Sequence, residues 1–218
     1  MIQSDFLKYT KPGQITDSDH PIIVHKARKE TASIESLEEK AIHLYYVVRD
    51  QIRYNPYKIH LSADKLKASE TLLRPEGNCV EKSNVYAALL RSIGVPARLG
   101  YGIVKNHLAT SGIEKVLGTN LLVFHGFVEL YLYDKWVKAT PVFNIELCHK
   151  LNVAPLNFDG KTDSIFQESD KEGNPFMEYV HFYGHFHDLP YITFKEELIK
   201  YYPSIMNATQ NTPFLIEM

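Results

Sequence analysis

The five residues Gly77-Asn78-Cys79-Val80-Glu81 constrain this chain more than any others, because they run directly into an apolar helical pattern that ends at Gly94-Val95-Pro96. Asn78 is a favourable N-cap, and Glu81 follows at capping-box spacing. That arrangement makes Cys79 the first residue of a helix. The unpaired N–H groups and the positive dipole end found there favour the thiolate, the form of cysteine that attacks carbonyl carbon. Val85, Tyr86, Leu89, Leu90 and Ile93 fall on one stripe, and Ala87 and Ala88 allow close packing. The helix body is therefore expected to be buried and only its N-terminal tip exposed.

A second helix is expected from Ser36, an N-cap with Glu39 at capping-box spacing. Leu37, Ala41, Ile42, Leu44, Tyr45, Val48 and Ile52 recur along one face. It should end near Tyr54-Asn55-Pro56, since the residue before proline is driven out of helical geometry. Upstream, residues 1–34 read as an irregular or short-strand lead-in, with Pro12-Gly13 as a turn and Ile22-Ile23-Val24 as a β-prone run. After Pro96 the pattern becomes β. Ala97 to Val104 reads as a strand, 106–120 as a connection, and Leu121–Tyr133 with Lys135–Thr140 as a hairpin turning at Asp134.

Val128, Leu130 and Leu132 share one face of that hairpin, and His125, Phe127, Glu129 and Tyr131 the other. Two registers are open. If Tyr133 pairs with Trp136, Asn144 lies opposite His125; if Leu132 pairs with Lys135, Val142 does. Either way Thr140 and Asn144 share the face of His125, provided the strand continues past Pro141. Asp134 is at the far end of the hairpin and cannot orient this histidine.

With 218 residues, 44% of them hydrophobic and 23% charged, the chain can bury one substantial core. A formal net charge of -2 gives no electrostatic reason to expect nucleic acid or an anionic membrane as partner. Cys79 and Cys148 do not make a disulfide framework. The N-terminus lacks a basic stretch followed by an apolar run, and no segment has the length to cross a bilayer, so a cytoplasmic location is expected.

The block from Gly77 to Glu81, followed by Ala87-Ala88-Leu89-Leu90-Arg91-Ser92-Ile93-Gly94-Val95-Pro96-Ala97-Arg98, resembles the cysteine block of the transglutaminase-like superfamily. Phe124-His125-Gly126-Phe127-Val128-Glu129-Leu130 with Trp136-Val137 resembles its histidine block. The resemblance covers residues 35–144, which are taken as the core, with 145–218 as a C-terminal extension packed on the same domain. It implies a papain-like α+β fold in which the nucleophile helix packs on an antiparallel sheet. It also implies cofactor-independent amide hydrolysis or acyl transfer through a thioester on Cys79, with His125 as base and a peptide or protein amide as substrate. Where the family usually has Asp-Pro after the tryptophan, this chain has Thr140-Pro141.

That departure leaves the orienting group of His125 open between Thr140 with Asn144 and a carboxylate from beyond the core, Asp159 or Asp163. The alternative function is a peptide-binding module that keeps the groove without turnover. In the extension, His181, His185, His187 and Asp188 carry metal-ligand atoms but no zinc signature, and no metal is assigned to them.

Overall fold

The computed structural model describes residues 6–107, 114 and 117–202. Helix α1, Pro21–Thr31, begins on His20, whose ring accepts the Ile22 N–H, and has Pro21 in its first turn. The β-prone run of Ile22-Ile23-Val24 is thus helical. The correction has a simple cause: Ile23, Ala27 and Thr31 recur every four residues and are its buried positions, so packing overrides the strand preference of β-branched residues. Helix α2, Leu37–Gln51, starts on Ser36, whose hydroxyl accepts the Glu39 N–H. A short parallel pair, β1 (Arg53–Tyr54) and β2 (Glu76–Gly77), flanks α3 (Ala68–Leu73) and delivers the chain to α4, Cys79–Ser92.

Every residue of α4 from Val80 to Arg91 is buried, including Glu81, Lys82, Ser83 and Asn84. It is the central rod of the molecule, with α1, α2 and α3 around it and β3 (Ala97–Asn106) and β4 (Leu121–Leu132) beneath. β5 (Lys135–Ala139), α5 (Ile145–Lys150), β6 (Met177–Phe186) and α6 (Tyr191–Tyr201) follow in the chain, and short 3-10 turns lie at Lys8–Thr10 and Asp64–Leu66. The antiparallel sheet has the order β5-β4-β3-β6. The extension therefore supplies an edge strand, β6.

Two hydrophobic clusters lie on opposite sides of the sheet. The larger joins α1, α2 and α4 to Leu99, Tyr101, Val128 and Leu130; the smaller gathers Val104, Cys148, Val153, Phe176 and Met177. The turn Tyr133-Asp134 has positive φ at both residues, as a two-residue hairpin loop requires. Asp188, just after β6, accepts the N–H groups of Gln14, Ile15 and Thr16 and the Thr16 hydroxyl, which fastens the extension to the N-terminal segment.

Candidate active site

Both halves of the expected capping box are formed. Asn78 Oδ1 accepts the N–H groups of Val80 (3.0 Å) and Glu81 (3.3 Å), and the Glu81 carboxylate accepts Asn78 N–H at 2.9 Å. The other Glu81 oxygen accepts from Arg74 at 2.6 Å and lies 2.8 Å from His60 Nδ1. Cys79 is consequently held as the first residue of α4.

The nearby backbone N–H groups of Gly126, Val80 and Cys79 itself favour the thiolate electrostatically. Burial opposes them more strongly and Glu81 adds repulsion, so the thiol is pushed up to about 11. The expectation that the helix end would make Cys79 a ready thiolate is corrected here, because desolvation outweighs the backbone donors. Cys79 is half-buried at a cleft of ≈ 480 Å³, solvent-filled mouth included, walled by residues such as Tyr54, Ile59, Leu122, Phe194 and Tyr202.

Gly126 explains the closeness of β4 to the helix tip. A Cβ there would lie 3.0 Å from Ser83 Oγ and 3.2 Å from the Cys79 carbonyl, so glycine lets the strand backbone approach the first turn of α4 without displacing a neighbour. A glycine inside the strand pattern was the sequence signal for this close approach.

His125 precedes Gly126 and by strand alternation faces the opposite side, toward the smaller cluster. It is 1% exposed and neither ring nitrogen has a hydrogen-bond partner, Cys79 included. Burial alone pushes its pKa down to about 4. The ring lines a cavity of ≈ 190 Å³ with Thr140, Val142, Phe143, Phe166 and Gln167 among its neighbours. Tyr179 meets the ring edge-on at 6.1 Å.

The hairpin adopts the Leu132–Lys135 register, but the strand stops at Ala139, where Ser164 bridges instead. Thr140 stays beside His125 in the cavity: its N–H donates to Ser164 at 2.8 Å, and its buried hydroxyl has no partner. Asn144 does not. With the ladder ended, the chain turns toward the C-terminus of α2, where Asn144 Oδ1 accepts Tyr54 N–H at 2.6 Å and its Nδ2 donates to the carbonyls of Arg49 and of Ile52 (2.9 Å). The Lys82 ammonium donates to the same two carbonyls. Asn144 is thus a helix-end clamp, and its engaged amide makes no bond to His125.

The two later carboxylates also point elsewhere. Asp163 accepts Lys138 N–H, and Asp159 closes its own turn on Lys161 and Thr162. In the extension, His185 pairs with Glu129, His187 contacts the Lys11 carbonyl, and His181 lies edge-on to Tyr183. Among the described residues no group of three or more His, Cys, Asp or Glu converges as a metal site would. None of the helices among them is long and apolar enough to cross a membrane.

Residues 24–141 match the transglutaminase-like superfamily. A structure provisionally described as a cysteine protease from Cytophaga hutchinsonii superposes with a TM-score of 0.50 at 16% identity, over 83% of this chain and 54% of that one. The chain thus spans about half the length of that protein, and the likeness is one of fold. A structure provisionally described as a protease from Parabacteroides distasonis has a TM-score of 0.38 and 14% identity, covering 58% of this chain and 26% of that one. No curated protein matches the sequence.

Proposed function

The chain belongs to the transglutaminase-like superfamily, and from that premise we propose that it is a cytoplasmic, cofactor-independent cysteine amidase or acyl transferase acting on peptide or protein amides. The observation that carries this reading is the placement of Cys79 as the first residue of a helix closed by a complete capping box, where it lines a cleft. Cys79 sulfur attacks the amide carbonyl carbon and forms a thioester, and His125 takes the thiol proton and passes it to the leaving amine. Water or an acceptor amine then attacks the thioester and releases the thiol. The base step requires the imidazole to come within hydrogen-bond reach of the sulfur, and because His125 faces away from Cys79 across β4, the proton transfer depends on a rearrangement of that strand when substrate binds and not on a side-chain rotation alone.

Thr140 shares the cavity of His125, and its partnerless hydroxyl is the group we assign to hold the tautomer once the two come into hydrogen-bond distance. A specific observation favours a second reading: both imidazole nitrogens are buried without a partner, in surroundings that hold no carboxylate. A chain with that histidine could retain the cleft as a peptide-binding module. The two readings separate on incubation with casein, monitored for new amino termini and for incorporation of a biotinylated alkylamine. Either product, lost in Cys79→Ala, is expected of the enzyme. Peptide binding with neither product sinks the enzyme in favour of the module.

A further inference from the structure

A cavity of ≈ 1160 Å³, mouth included, adjoins the Cys79 cleft and shares three of its walls, Tyr54, Pro56 and Leu122. Tyr54 is the hinge between the two spaces. Its ring meets Phe143 edge-on at 5.0 Å, and its phenol is held well above its usual range by burial and by the neighbouring Cys79. Phe143 stacks in turn on Phe176, with ring centroids 6.1 Å apart, so the wall beyond the sulfur is aromatic.

Phe176 and Met177 are buried and form the floor, while Leu147 and Leu151 line the side given by α5. Among the described residues the lining contains two cations, Arg53 and Lys150, and no carboxylate. Arg53 is already paired with Glu76, which also holds Lys58 at 2.7 Å. A positively charged side chain entering here would meet like charge at the mouth and apolar surface within, and would lose its hydration without a counter-ion. A large apolar side chain would exchange water for aromatic and aliphatic contacts over a space of the size that binding pockets usually have.

Resting on the reading of Cys79 as nucleophile toward peptide amides, we infer that this cavity is the specificity subsite, taking a bulky aromatic or aliphatic side chain next to the reacting amide and rejecting lysine and arginine. Continuity with the sulfur's cleft through Tyr54 identifies the occupant as part of the same substrate. The cavity of His125 borders this one, with Phe143 and Met177 lining both, so the subsite reaches from the sulfur's cleft toward the histidine.

The test measures binding, so that it stands apart from turnover. Fluorescein-labelled peptides Gly-Gly-X-Gly-Gly, with X as Phe, Leu, Gly or Lys, are titrated with the Cys79→Ala chain and followed by anisotropy. The Phe and Leu peptides are expected to bind at least about tenfold more tightly than the Gly peptide, which corresponds to about 1.4 kcal/mol, and the Lys peptide no better than Gly. Leu151→Arg should bring the Phe-to-Gly ratio to about one, and Leu147→Arg should do the same from the preceding turn of α5 if the first variant fails to fold. Equal binding of all four peptides, or a Phe preference that survives both substitutions, overturns the subsite. A chain that prefers Phe but turns over no amide loses the enzyme reading and keeps the subsite.

Discussion

The state of the Cys79 thiol at rest can be measured directly. Its N–H contacts favour ionisation, but burial pushes the thiol up to about 11. At pH 7 a thiol of that pKa is about 1 part in 10,000 thiolate, against roughly 3 in 100 for an unperturbed cysteine, a deficit of about 300-fold. A more basic thiolate is also the better nucleophile; with a Brønsted coefficient of about 0.4–0.5, the shift returns roughly tenfold. Iodoacetamide should therefore alkylate Cys79 about 30-fold more slowly than a free thiol at pH 7, with a rate still rising tenfold per unit between pH 7 and 9.5. The assay is mass-spectrometric labelling of a Cys148→Ala chain, which leaves Cys79 as the sole thiol. His125→Ala should leave the profile unchanged, because the imidazole makes no hydrogen bond to the sulfur. An inflection below about pH 7 that disappears in His125→Ala would refute the argument, since it would mean a thiolate–imidazolium pair already formed at rest.

Thr140→Asp puts a carboxylate into the cavity that His125 faces; an opposite charge at that range raises a histidine by about 1–3 pH units, so an NMR titration should move His125 up from about 4, and an unmoved ring would remove Thr140 from the site. Asn144→Ala removes three hydrogen bonds at the end of α2 and should cost about 2–4 kcal/mol in urea denaturation while leaving the His125 titration unchanged; a shifted titration would return Asn144 to the orienting role. Asp188→Asn should cost about 1–3 kcal/mol at pH 7. Although burial alone would raise it, the donors around Asp188 hold its carboxyl below the usual carboxylate range, so its stabilisation is complete above the unfolded value of about 3.9 and is lost as pH falls through the folded one. Urea midpoints that differ between wild type and variant by the same amount at pH 7 and pH 3 would contradict that linkage.

The parts of the fold legible in the sequence were those whose cause is local. Asn78 and Glu81 form their capping box wherever the helix lies, and Ser36 starts its helix by the same rule. The hairpin register was narrowed to two possibilities by the length of its turn, and the shorter turn is the one formed. What failed depended on contacts distant in sequence. Ile22-Ile23-Val24 looks β-prone until Ile23 and Ala27 are seen to meet the core. Asn144 carries the chemistry of a histidine partner, but the end of β5 at Ala139 redirects it to carbonyls roughly ninety residues upstream. The four-residue recurrence of Ile23, Ala27 and Thr31 was a spacing signal that the β-branched run masked, whereas the course of Asn144 could not be decided by spacing. Within the site, Cys79 and His125 were identifiable as residue types in blocks, whereas the balance of burial against backbone donors at the sulfur is a property of the packed molecule.

That balance sets the demand on any catalysis here. Moving a proton from a thiol at about 11 to an imidazole at about 4 spans about 7 units, or roughly 9–10 kcal/mol, before the two charges attract. At about 4 Å and an effective dielectric of about 20, that attraction returns roughly 4 kcal/mol. About 5 kcal/mol remains, which holds the ion pair near 1 part in 10,000 even once the imidazole has been brought to that distance, and at rest the ring is not there. In the family pattern an aspartate beside the histidine would reduce this deficit, and Thr140 carries no charge with which to do so. The remaining sources are the substrate, through its carbonyl and the movement it induces, and the N–H groups of Gly126 and Val80, which strengthen on a full thiolate. An enzyme built this way should therefore show a first-order dependence of acylation on hydroxide up to high pH, whereas a preformed ion pair would give a plateau near neutrality. The pH profile of acylation thus distinguishes substrate-assisted activation of Cys79 from activation by His125 at rest.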